Sequence, residues 1–162
     1  MIDPATAVVF DVNVYLDYIL GDDGSWPLMP DVPPTTNNPA ADAVSLAFAS
    51  RFRLFASPHI LHNVVRVMRT VDQQETTVEA FATAITEMCE FSGGGVIEPE
   101  SRDLGISDYE DSLIASLAMD SAVDARIIVT SDHDLLTHGP AWHGRLIMRP
   151  REFVRNAVTR FR

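Results

Sequence analysis

Short apolar runs rich in β-branched residues alternate along this chain with stretches whose apolar residues recur at helical spacing, and that alternation leaves few folds open. The runs are Ala7 to Phe10, Arg53 to Ala56, Val96-Ile97, Ile127 to Thr130 and Arg145 to Met148. Helical stretches fall at Asn13 to Leu20, Ala40 to Ala49, Pro58 to Val71, Thr76 to Phe91 and from Ser107 through Met119, with a short turn near Leu135. A last amphipathic helix opens at Pro150 and carries Phe153, Val154, Ala157 and Phe161 inward. Strands separated by helices pair in parallel, because each crossover must travel back along the sheet, and such crossovers are right-handed. The pattern therefore predicts an α/β fold, a three-layer α/β/α sandwich around a mostly parallel sheet of about five strands.

Local chemistry agrees with that reading. Ser57 followed by Pro58 places a capping hydroxyl ahead of a residue suited to the first helical position. Ile60, Leu61, Val64, Val67, Met68 and Val71 then give that helix a core face. Ser107 with Glu110 three residues on resembles a capping box. Gly21 to Pro39 holds five prolines without periodicity and reads as a long surface loop. With 162 residues, 46% of them apolar, and neither a repeat nor a boundary, residues 1–162 are expected to form one domain around one core.

Composition narrows the function. Cys89 has no partner cysteine, no signal-peptide pattern opens the chain and no apolar run is long enough to span a bilayer, so a soluble protein of a reducing cytoplasm, without membrane contact, is expected. A formal net charge of −11 argues against a general electrostatic binder of nucleic acid, so any RNA must be met by a local exception. All 12 basic residues are arginine. Haloacid-dehalogenase-like phosphatases and receiver domains also set aspartates at strand ends, but both require a lysine, as does a P-loop nucleotidase.

In doubly wound sheets the ligand site lies beyond the carboxyl ends of the strands, where connections diverge to opposite faces. The first strand ends in Asp11, with Asn13 two residues on, and the fourth runs through Thr130 to Asp132, with Asp134 beyond. On the helix after Ser107, Asp111 shares one stripe with Ile114, Ala115 and Ala118 and so faces inward. A buried carboxylate is costly without a compensating cation, and no basic residue stands beside Asp11 or Asp111 in the chain. Hard oxygen donors suit Mg²⁺ or Mn²⁺, and no Cys or His cluster has zinc spacing.

These residues resemble a family. Val8-Val9-Phe10-Asp11-Val12-Asn13, Ser57-Pro58-His59-Ile60-Leu61-His62-Asn63, Asp111-Ser112-Leu113-Ile114-Ala115-Ser116-Leu117-Ala118 and Val129-Thr130-Ser131-Asp132-His133-Asp134-Leu135-Leu136 look like the motifs of PIN domains, in order and spacing. Ile147-Met148-Arg149-Pro150-Arg151-Glu152-Phe153 also resembles the closing strand and helix of PIN-type toxins. The resemblance implies a metal-dependent endoribonuclease, the toxin of a toxin-antitoxin pair, with a small antitoxin protein as partner and a homodimer as a further possibility. It implies Asp11, Asp111 and Asp132 as catalytic residues that, with Asp134, hold one or two Mg²⁺ or Mn²⁺ ions. Those ions would activate a water for in-line attack on an RNA phosphodiester, leaving a 5′-phosphate and a 3′-hydroxyl.

Asn13, Asn63, Asp108 and Thr130 are the supporting residues in this reading. Two positions depart from the family pattern. Val12 stands where a Thr or Ser is usual, and Asn63 stands where the family carries a glutamate on the helix after the second strand. An amide oxygen ligates without charge, which predicts weaker metal affinity, with Asp108 or Asp134 as sources of the missing acid. The same departures, with the acidic surface, favour an alternative in which the module has lost catalytic power and serves binding or regulation. Arg51, Arg53, Arg66, Arg69 and Arg149 are the expected phosphate contacts. Asp108 and Asp132 also suit plain helix caps, Gly21-Asp22-Asp23-Gly24 reads as a solvated loop, and His59, His62, His133, His138 and His143 read as surface or satisfied side chains.

Overall fold

The protein is described by a computed structural model covering residues 2–21, 38–71 and 73–158. Most of the proline-rich segment, Asp22-Asp23 and Phe161 lie outside those residues. The strands are β1 (Ala7–Phe10), β2 (Arg53–Ala56), β3 (Gly95–Val96), β4 (Ile127–Val129), β5 (Ala141–Trp142) and β6 (Arg145–Met148). The helices are α1 (Val12–Leu20), α2 (Pro39–Phe48), α3 (Pro58–Thr70), α4 (Glu75–Phe91), α5 (Tyr109–Met119), α6 (His133–Leu136) and α7 (Pro150–Val158).

These strands form one sheet in the order β3-β2-β1-β4-β6-β5, parallel except for the β5–β6 pair. Order and chain direction together locate the site. From β1 the chain moves outward through β2 to β3, then α5 carries it back to β4 on the other side of β1. The connections therefore diverge between β1 and β4, whose carboxyl ends flank the crevice. Every residue of β1 and β4 is buried, as the unbroken apolar runs require of central parallel strands. Pairing continues one residue further, because Asp11 N–H donates to Val129 O at 2.9 Å.

Behind the crevice, Phe10 packs against Tyr15, Phe52 and Phe153 with ring centroids 5.9, 5.7 and 5.8 Å away. Each buried aromatic of this kind contributes roughly 1.5–3 kcal/mol of transfer free energy, and the cluster locks the last residue of β1 in place. Where α4 returns to β3, Gly94 lets the backbone pass β2. A Cβ there would lie 1.9 Å from the Leu54 carbonyl oxygen, so no side chain fits without moving the strand.

Several expectations are corrected in detail. The sheet has six strands because Ala141-Trp142 folds back on Arg145-Leu146. His143 and Gly144, at φ 48° and 76°, make the two-residue turn, and both central residues of such a turn need positive φ. Asn38 and Pro39 belong to the start of α2, where the Asn38 side chain accepts from Ala40 N and Ala41 N. The cap of α5 is Asp108, which accepts from Asp111 N at 2.9 Å, one residue after the serine expected to do so. The first helix begins at Val12, one residue before the expected Asn13, and Asp11 is its cap.

Candidate metal centre

Three elements deliver the three aspartates. Asp11 arrives at the end of β1, Asp132 just beyond β4, and Asp111 in the first turn of α5, the helix that packs on β1. Each offers a carboxylate oxygen within 4.8 Å of the others, although the residues are up to 121 positions apart in the chain (132 − 11).

Asp11 is held from several directions. Its Oδ2 accepts from Thr130 Oγ1 at 2.7 Å and from Asn13 Nδ2 at 3.2 Å, and its Oδ1 accepts from Val12 N at 2.7 Å. Asn13 Oδ1 in turn accepts from Ser131 N at 3.0 Å, and Thr130 Oγ1 accepts from Asp132 N at 2.9 Å. The Asn13 amide and the buried Thr130 hydroxyl thus staple the end of β1 to the end of β4 and aim Asp11 between them. Burial pushes the Asp11 carboxyl above its ordinary value, the Thr130 and Val12 hydrogen bonds pull it back, and Asp132 adds repulsion.

Asp111 is placed differently. It is 4% exposed, with Ile114, Ala115 and Ala118 buried along its stripe, and no group among the described residues donates to its carboxylate. Burial first, then repulsion from Asp132, Asp108, Asp11 and Asp134, pushes its carboxyl up to about 7. Asp132 caps α6 through one oxygen, accepting from Asp134 N at 2.9 Å, so its capping role and its place in the trio coexist. Among the described residues no arginine or histidine pairs with any of the three. Like charges gathered without a counter-ion, on oxygen donors alone, fit a hard divalent cation.

A cleft of about 240 Å³ opens over the trio, walled by Val12, Asn13, His59, Asn63, Arg66 and Glu110 among others. Asn63 is buried at 7% exposure and does face this cleft. Asp134 is exposed and outside the trio, and Asp108 is engaged as the α5 cap. The acid beside Asn63 is Glu110, whose Oε2 accepts from Asn63 Nδ2 at 2.7 Å and contacts His59 Nε2. Sequence reasoning noticed Glu110 only as part of a cap. The signal that would have singled it out is its position directly before Asp111, where a helix turns successive side chains about 100° apart and can present them to two walls of one cleft.

The arginines divide. Arg66 lines the cleft, and Arg149 lines an adjoining groove with Ser131 and Arg151. Arg53 begins β2 beside Ala7, at the opposite end of the sheet from Asp11, where its Nε donates to Ala5 O at 3.1 Å. Arg51 lies two residues earlier, and Arg69 is paired with Glu75. These three are corrected as phosphate contacts, since sequence position alone did not tell which end of a strand or face of a helix they would occupy.

A mostly parallel sheet with three converging carboxylates at its switch point defines a class of α/β protein whose site could hold a metal ion. The PIN domain family model matches residues 7–134, most of the chain, and the chain belongs to that family, which points to a nuclease. No match was found among curated proteins. No helix among the described residues is long and apolar enough to cross a membrane.

Proposed function

We propose that the protein is a Mg²⁺- or Mn²⁺-dependent endoribonuclease and acts as the toxin of a toxin-antitoxin pair. The observation that carries the catalytic part is Asp111, a buried carboxylate that among the described residues has no donor and no ion-pair partner and lies with two further carboxylates whose oxygens are within 4.8 Å. Asp11, Asp111 and Asp132 would hold the ion, and Asn13 and Thr130 keep Asp11 turned toward it. When bound, the ion supplies Lewis acidity and a charge that offsets the phosphate. The reaction is hydrolysis: a water oxygen bonds to phosphorus, the bond to the 3′ oxygen breaks, and the water's proton ends on that oxygen. Arg66 in the cleft wall and Arg149 beyond it are the groups suited to the flanking phosphates, a local basic exception on an acidic chain.

The toxin role and a small antitoxin partner rest on the likeness of the segment from Ile147 to Phe153 to PIN-type toxins. The neutral Asn63 favours a second reading, a catalytically weakened binding module. One experiment separates the two. Metal-stripped protein is given Mn²⁺ and single-stranded RNA, and the products are end-labelled. Cleavage that leaves 3′-hydroxyl ends and vanishes in Asp11→Ala and Asp132→Ala supports the enzyme, whereas metal-independent or absent cleavage removes it. Growth arrest on induced expression that Asp11→Ala relieves supports the toxin role.

A further inference from the structure

Among the described residues, the large aromatic rings left exposed are those of Phe91 and Tyr109. Phe91 ends α4 just before β3, at the amino ends of the strands and away from the trio. Tyr109 opens α5 two residues before Asp111, about 200° around the helix and only ~3 Å along it, so the turn that sends Asp111 inward leaves Tyr109 outside at nearly the same level. Its ring is 69% exposed. A single exposed aromatic is ordinary and by itself calls for no explanation. This one is held in place. It meets the His59 ring nearly at right angles, with centroids 6.2 Å apart. His59 is fixed in turn by Glu110 Oε2, which also accepts from Asn63 Nδ2 at 2.7 Å. His59 and Glu110 line the cleft over the trio together with Arg66, so Tyr109 continues that wall outward past the rim. A ring backed on one side and bare on the rest, next to such a cleft, suits the flat face of a nucleobase.

We propose that Tyr109 is a base-stacking residue: a base of single-stranded RNA, next to the phosphate held over the trio, lies on its ring, and His59 and Glu110 keep that ring in place. The inference rests on the reading of the cleft as a ribonuclease site and adds to it the form of the substrate, since bases paired and stacked in a duplex do not offer their faces to a side chain. The charge of the chain gives stacking its purpose. Against a net charge of −11, the basic groups lining the cleft and its adjoining groove are Arg66, Arg149 and Arg151, so phosphate contacts supply a limited attraction. Stacking needs no opposite charge. Every base has a π-face, so Tyr109 selects for an unpaired strand more than for a sequence.

The test is cleavage of short single-stranded RNA by the full chain in Mn²⁺, with 2-aminopurine placed at each position in turn, because its fluorescence falls when it stacks. With the unaltered protein, one position beside the cleaved bond is expected to be quenched on mixing. Tyr109→Ala is expected to abolish that quench and to raise KM about 5- to 100-fold, with kcat and melting temperature little changed. Tyr109→Phe, which keeps the ring, should retain both quench and KM. An abasic nucleotide at the quenched position should raise KM for the unaltered protein by a similar factor and leave Tyr109→Ala no worse. An unchanged KM in Tyr109→Ala, or a rise of equal size for RNA with and without that base, overturns the stacking role, leaves Tyr109 as a cover for His59 and leaves the nuclease reading standing. Equal quench and equal Tyr109 dependence on RNA paired throughout overturn the assignment of an unpaired strand. Absence of Mn²⁺-dependent cleavage by the unaltered protein removes the ribonuclease reading and the stacking with it.

Discussion

Asp11 and Asp111 are two buried carboxylates with oxygens within 4.8 Å of each other, yet the chain treats them oppositely. Asp11 collects three donors, from Thr130, Asn13 and Val12. Among the described residues Asp111 collects none, and it faces four other acids. The difference teaches that the fold orients one aspartate through its own hydrogen bonds and gives the other no partner among the described residues, so that its charge is met by a proton or by a cation from outside.

The comparison breaks most completely at Asp11. Replacing it with asparagine keeps the size and much of the hydrogen bonding but removes the aimed charge, and Mn²⁺-dependent RNA cleavage is expected to fall below detection in a labelled-RNA assay. Thr130→Val is the next largest effect. It removes the donor to Asp11 and the acceptor for Asp132 N, and Mn²⁺ affinity measured by calorimetry should drop about 10–100-fold, the range seen when groups that orient metal ligands are lost. Asp111→Asn sharpens the contrast with the opposite sign. Without metal it relieves an uncompensated buried charge, so the apo protein should melt higher at pH 8, by about 2–4 °C for each ~1 kcal/mol gained, while binding Mn²⁺ far more weakly.

The same residue predicts a pH dependence. Its carboxyl is raised from an ordinary value of 3.8 to about 7, so between those values the folded apo protein holds a proton that the unfolded chain releases. Stability conferred by that proton is complete below about pH 4 and is lost as pH climbs through 7. For this group, thermal melts of the metal-stripped protein should fall across that window, and Asp111→Asn should flatten the fall. The smallest effect belongs to Arg66. Arg66→Ala should weaken RNA binding uniformly across sequences and reduce the magnitude of the slope of log K against log salt by about one.

How much of this was legible in the sequence follows from how local each feature is. Asp11 was readable because an unbroken apolar strand ends on it, and Asp111 because its apolar neighbours at positions 114, 115 and 118 fix the inward face of α5. Both features are set within a few residues. Asp132 carried two readings, cap and ligand; the cap is observed, and it engages one oxygen while leaving the other beside Asp11 and Asp111. The missed features depend on tertiary placement. Glu110 gains its meaning only when α3 brings Asn63 and His59 against it from 47 and 51 residues away. Asp108 rather than Ser107 caps α5 because its carboxylate reaches Asp111 N, one residue's difference in where the helix begins, and β5 was too short for any periodicity. A His-Gly turn was its one local sign.

The most direct measurement of the central claim is anomalous diffraction from crystals of the full chain soaked in Mn²⁺. The account predicts a manganese peak within coordination distance of an oxygen from each of Asp11, Asp111 and Asp132. A trio without such a peak, or one closed by a guanidinium or by direct carboxyl-to-carboxyl hydrogen bonds, would contradict it.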